Sequence, residues 1–83
     1  MENLDRAEEL AHQSLQTFQD FNRRKLEAAA CKLLGEIYLV RAHRQESGAI
    51  ATASQFLTTS LHLYRELDLT EKAAEIEQLM IDN

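Results

Sequence analysis

Apolar residues recur at steps of three and four along nearly the whole chain, in four runs that are separated by short polar breaks. Such steps place side chains on one side of an α-helix. The pattern therefore predicts one all-α domain over residues 1–83, with helices at about 4–20, 24–43, 48–67 and 70–81. The polar residues expected at the helix starts are Asn3, Ser47, and Thr70 or Asp68.

Each run defines a stripe that we expect to face the core. In the first helix the stripe is Leu4, Ala7, Leu10, Ala11, Leu15, Phe18 and Phe21. In the second it is Leu26, Ala29, Ala30, Leu33, Leu34, Ile37 and Tyr38. In the third it is Ile50, Ala53, Phe56, Leu57, Leu61, Tyr64 and Leu67, and in the fourth Ala73, Ile76, Leu79 and Met80. The second helix is apolar on further sides, so it is expected at the centre of the domain.

The first and third helices share a sequence pattern at a constant offset of 46 residues. The matched pairs are Ala7 and Ala53, Leu10 and Phe56, Ser14 and Ser60, Leu15 and Leu61, Phe18 and Tyr64, Phe21 and Leu67, and Asn22 and Asp68. A repeat of this length in helical periodicity indicates stacked helical hairpins, an architecture that presents extended binding surfaces.

Two motifs resemble the tetratricopeptide repeat, namely Leu34-Gly35-x-x-Tyr38 in the second helix and Ala53-x-x-x-Leu57-x-x-Ser60 in the third. The resemblance implies antiparallel hairpins in a right-handed stack, with the first helix closing a preceding repeat and the second and third forming a whole one. It also implies that Gly35 allows a close helix crossing. The period of 46 exceeds the roughly 34 residues usual for the family, and the chain contains no Pro.

By the same resemblance, the second helix would line a binding groove for a partner protein or peptide. The residues expected there are Ala29, Lys32, Glu36, Leu39 and Val40. Lys32 matches a lysine that grips a peptide carboxylate in some members, but Glu36 stands where asparagine is expected and would repel that group. An apolar contact through Leu39 and Val40 is expected instead. The implied function is that of a non-catalytic interaction module or scaffold.

The charge distribution limits the classes of partner. The net charge of −5 disfavours nucleic acid and anionic membrane surfaces. Six basic residues lie in residues 23–44 and six acidic residues lie in residues 65–82. This asymmetry favours pairing between neighbouring helices, and a basic groove for an acidic peptide is the alternative.

Candidate chemistry is sparse. Arg6 and His12 match the loose Arg-x(4–6)-His pattern of small helical ribonucleases, which makes a ribonuclease-type enzyme the least favoured hypothesis. His12, His43 and His62 are not at metal-ligand spacing, and neither a metal nor a cofactor is expected. The single Cys31 lies in an apolar setting and is expected to be buried and inert, as in a reducing, cytoplasmic protein.

Self-association is the other hypothesis. Stacks of fewer than three repeats leave faces uncovered, and Leu39, Val40, Leu79 and Met80 would remain exposed. A twofold homodimer would bury them, for example as the oligomerisation domain of a larger regulator.

Overall fold

The chain folds into helices alone across residues 2–82, the part that this computed structural model describes. The four helices are α1 (Glu2–Asp20), α2 (Arg24–His43), α3 (Ala49–Glu66) and α4 (Thr70–Asp82). The predicted all-α class is confirmed. The bounds lie within two residues of those expected, because the polar breaks in the sequence coincide with the turns.

The turns after α1 and after α3 have the same backbone geometry. Asn22 and Asp68, which are 46 residues apart, both have φ of 57°. In each turn the next N–H donates to the carbonyl five residues earlier, at 2.8 Å in the first turn and 2.9 Å in the third. This left-handed ending stops a helix and satisfies its last carbonyls. The turn after α2 ends in the same way, since Gln45 has φ of 62° and the Glu46 N–H donates to the Arg41 carbonyl at 3.1 Å, so this geometry is shared by all three turns.

The expected side-chain caps are not where the helices begin. Asn3 lies inside α1, and Ser47 lies one residue before the N-cap of α3. That N-cap is Gly48, whose φ of 78° suits a residue without a β-carbon. Thr70 is the first residue of α4. The cap predictions at Asn3 and Ser47 were wrong: Asn3 lies within the helix, and in α3 the left-handed Gly48 occupies the cap position instead of Ser47.

The helices pack in chain order, α1 on α2, α2 on α3 and α3 on α4, within extents of 34 × 28 × 17 Å. Side chains also reach across alternate helices, since Lys32 pairs with Glu75 of α4 and His12 of α1 meets Phe56 of α3. The second helix contacts neighbours on several sides, as its apolar surface indicated.

Two clusters form the core. One joins α2, α3 and α4 and includes Ala28, Leu39, Ala53, Leu57, Leu61, Leu63, Tyr64, Ala73 and Ile76. The other joins α1 and α2 around Ala11, Leu34 and Ile37, with Phe56 of α3 packed against it. Within residues 2–82, most burial is thus between helices that are adjacent in the chain, and Phe56 of α3 adds a contact with the cluster of α1 and α2.

Several residues of the predicted stripes are exposed instead. They are Leu10 in α1, Phe21 in the turn after it, Leu26, Ala29 and Leu33 in α2, Ile50 in α3, Leu67 just after it, and Met80 in α4. In α2 the buried arc is rotated toward Ala28, Cys31, Gly35 and Leu39. The predicted burial of Ala30, Leu34 and Ile37 is confirmed. The rest of the α2 prediction was wrong because α3 and α4 both pack on the side that includes Ala28 and Leu39. A helix that is apolar over most of its circumference does not reveal which arc its neighbours cover.

Candidate protein-interaction surface

Five large apolar side chains are exposed on α1, on α2 and in the turn between them, and they define what we call the outer face. They are Leu10 (45% exposed), Phe21 (71%), Leu26 (47%), Leu33 (47%) and Val40 (41%). Single exposed apolar residues are ordinary on protein surfaces, but a set aligned on adjacent helices is typical of an interaction site.

These side chains point away from α3. At about 100° per residue, Leu33 lies roughly 160° around α2 from Gly35, which contacts Leu57 of α3. On α1, Leu10 lies about 160° around the helix from His12, whose ring meets Phe56. Both helices therefore turn their exposed apolar side chains to the side opposite α3.

The register of the α1–α2 hairpin aligns the two halves of this face. Arg41 contacts Asp5 near one end, and Tyr38 donates a hydrogen bond to Glu8 one turn further. The same antiparallel register places Phe21 close to the start of α2 at the other end. The outer face therefore runs along α2 and along α1 from Leu10 to the turn that contains Phe21.

The residues expected to bind a partner are divided between the surface and the core. Ala29 and Val40 are exposed, and both lie on the arc of α2 that carries the outer face. Lys32 and Glu36 are half-buried at the edge of that arc. Leu39 is only 7% exposed and belongs to the core cluster with α3 and α4, so its predicted exposure was wrong. It lies on the arc of α2 that two other helices cover.

Lys32 forms an ion pair with a carboxylate of the same chain. Its Nζ lies 3.1 Å from Glu75 Oε1 of α4. The hydrogen bond from Lys32 lowers the pKa of the Glu75 carboxyl, and the same bond raises the pKa of Lys32. Arg24 to Glu66 at 2.7 Å and Arg65 to Glu77 at 2.8 Å are further ion pairs between helices. The basic and acidic segments thus neutralise one another, which leaves Lys32 poorly placed to hold a peptide carboxylate.

The residues of the repeat motif meet where α2 crosses α3. A β-carbon on Gly35 would lie 2.5 Å from Leu57 Cδ2 and 3.5 Å from the Ala53 carbonyl oxygen, so the expected close approach at Gly35 is present. Ser60 is fully buried and donates a hydrogen bond of 2.8 Å to the Ala28 carbonyl. Leu34 is fully buried. Small residues on both helices allow this approach.

Arg41 organises a polar network that sequence reasoning missed. Its guanidinium lies 2.5 Å from Asp5, 2.8 Å from Glu8 and 3.1 Å from Glu46. Glu8 also accepts a hydrogen bond from Tyr38, which raises the pKa of that phenol. Arg41 holds the pKa of Asp5 below its ordinary value. The network ties α1 to α2 and to the following turn, but its partners are too distant in sequence for periodicity to reveal them.

The structure does not bring Arg6 and His12 together. Arg6 pairs with Glu9, whereas His12 lies 3.6 Å from Glu8 and edge-on to Phe56. Six residues of helix separate the two side chains by about 120° around α1. Within one chain, the two side chains therefore do not face a common point.

Cys31 is 2% exposed, and burial raises the pKa of its thiol to about 11. Such a thiol is a poor nucleophile at neutral pH. Residues 2–82 contain no group of three His, Cys, Asp or Glu side chains that could hold a metal ion. Across the same residues, no helix combines the length and apolarity that crossing a membrane requires.

A second apolar feature lies between α2, α3 and α4. It is a cleft of about 110 Å³ lined by Leu39, Ile50, Ser54, Leu57, Leu79 and Met80. Leu79 packs against the core, and Ile50 and Met80 form the exposed rim. This volume suits one apolar side chain, whereas the outer face presents five exposed apolar side chains.

Comparisons with known proteins add no relative. Scans against protein-family models, curated proteins and solved structures each returned no match.

Proposed function

We propose that this chain is a non-catalytic protein-interaction module that binds a helix of another polypeptide along the outer face of α1 and α2. The observation that carries the proposal is the alignment of Leu26, Leu33 and Val40 at steps of seven on α2. Apolar residues at this spacing form the seam along which a second helix packs. Leu10 of α1 and Phe21 of the following turn widen the seam beyond α2.

The tetratricopeptide-like pattern supports the same proposal. In such stacks each hairpin buries its apolar face against the next, and binding surfaces follow the helices. The buried thiol of Cys31 and the separated Arg6 and His12 favour binding over catalysis. We place the module in a reducing, cytoplasmic setting, since its one cysteine is an unpaired thiol.

Photo-crosslinking tests the surface even when the identity of the partner is unknown. A photoreactive phenylalanine analogue at position 33 should give discrete covalent adducts in cells. The matched control carries the same analogue at Gln55, which is exposed on the side of α3 that faces away from α2. Adducts at position 33 and none at position 55 support the proposal. Equal labelling at both positions, or none at either, contradicts it.

A further inference from the structure

We infer that the helix bound on the outer face is α2 of a second copy of this chain, related by a twofold axis that passes close to Leu33. The inference rests on the proposed function, because it names the partner of the same surface. Three features of the chain support it: the internal repeat, the polarity of α4, and the symmetry of the stripe on α2.

The internal repeat allows the burial of each α3 residue to be compared with that of its counterpart in α1. Ser60 is fully buried because α2 covers it, and it donates to a backbone carbonyl of that helix. Its counterpart Ser14, 46 residues earlier, is exposed. Tyr64 is likewise buried, whereas its counterpart Phe18 is only half-buried. Ala7, the counterpart of Ala53, packs against the core cluster of α1 and α2 and leaves that position covered. The first helix therefore carries the pattern of a helix that is covered by a neighbour of the α2 kind.

The α4 side of the molecule does not offer a comparable surface. Ala73 and Ile76 face inward, and the opposite side of α4 exposes Glu71, Ala74 and Gln78. Ile81, in the last turn, is the large apolar residue exposed on that side. Helical stacks usually end in a capping helix whose outer side is polar. Head-to-tail stacking of α4 on the outer face would leave α4 without matching apolar area, so the outer face is better matched by itself.

The stripe on α2 is symmetric about its centre. Leu26 and Val40 lie seven residues on either side of Leu33. When two copies of α2 run antiparallel with the axis at Leu33, Leu26 of each copy meets Val40 of the other and the two Leu33 side chains meet. The contact is isologous, so it closes after two copies and does not extend into a filament.

Cross-linking tests the predicted axis. In Leu33→Cys, a short bismaleimide should join two copies efficiently, because the two new thiols lie at the axis. In Gln55→Cys it should not. The native Cys31 can stay, since its buried thiol reacts poorly. Equal cross-linking of the two variants would overturn the placement of the axis.

Solution mass tests the dimer itself. Wild type should sediment at twice the 9.5 kDa of the chain, Leu33→Glu as a monomer, and Gln55→Glu as a dimer. Circular dichroism should show all three equally helical. A wild type that stays monomeric from micromolar to millimolar concentration, or a dimer that survives Leu33→Glu, would overturn the inference. If wild type is monomeric but the photoreactive analogue at position 33 gives adducts, the proposed interaction module stands and the dimer is rejected. Without those adducts, both proposals fall.

Discussion

Replacing Gly35 by alanine tests the crossing of α2 and α3, on which the fold depends. The new β-carbon would lie 2.5 Å from Leu57 Cδ2 and 2.6 Å from Leu57 Cγ. Ordinary contacts between carbon atoms are about 3.5–4.0 Å, so the overlap is roughly 1 Å. Leu57 is 2% exposed and cannot swing into solvent. One of the two helices must therefore move.

The expected magnitude follows from two opposing effects. Alanine in place of glycine inside a helix favours folding by about 1 kcal/mol. Overpacking a tight core costs about 1–3 kcal/mol. Gly35→Ala should therefore destabilise the fold by up to about 2 kcal/mol, and Gly35→Leu by more. Urea denaturation followed by far-UV circular dichroism measures the change.

The sign should reverse when Leu57 is truncated. Leu57→Ala alone should cost about 2–5 kcal/mol, because it leaves a cavity beside Gly35. In that background Gly35→Ala should stabilise by about 1 kcal/mol, since the clash is gone and the helix preference remains. An osmolyte such as sucrose keeps the weaker variants folded. Gly48→Ala is the control, because nothing lies within 4 Å of its β-carbon and its cost should not depend on Leu57. Equal effects of Gly35→Ala in both backgrounds would refute the close crossing.

Three further predictions follow from single contacts. Ser60→Ala should cost about 1 kcal/mol, because a buried hydrogen bond is lost, whereas Ser14→Ala at the exposed counterpart should change stability by less than about 0.5 kcal/mol in the same denaturation assay. The Cys31 thiol should react with a disulfide reagent far more slowly in folded protein than in urea, and equal rates would show that it is accessible. The pKa values of Asp5 and Glu75 are lowered by their cationic partners, so their contribution to stability is present above their ordinary values of 3.8 and 4.5 and is lost as pH falls through the lowered values. Asp5→Asn should flatten that part of the pH profile, and an unchanged acid limb would contradict the role of the ion pair.

The helices and their ends could be read from the sequence because both are determined locally. Apolar steps of three and four identify each helix, and Asn22 and Asp68 end α1 and α3 with the same left-handed turn. Gly35 could be placed at a crossing because only a missing side chain permits such an approach.

The candidate surface could be predicted only in part. Val40 was expected on the surface and is exposed, but Leu39 is buried and Leu33 is exposed. Local periodicity does not show which of these apolar residues is buried, because α2 is apolar on several sides. The packing of the other helices determines which side of α2 is covered. The Arg41 network escaped prediction for a related reason, since its carboxylates come from α1 and from the turn after α2.

The most direct test of the outer face as an interface between copies is the methyl spectrum of the protein across a dilution series. Between millimolar and micromolar concentration, the methyl signals of Leu33 and Val40 should shift or broaden as copies separate. Those of Leu57 and Ile76 in the core should stay constant. Changes confined to Ile50 and Met80 at the cleft, or a spectrum that does not depend on concentration, would contradict the account.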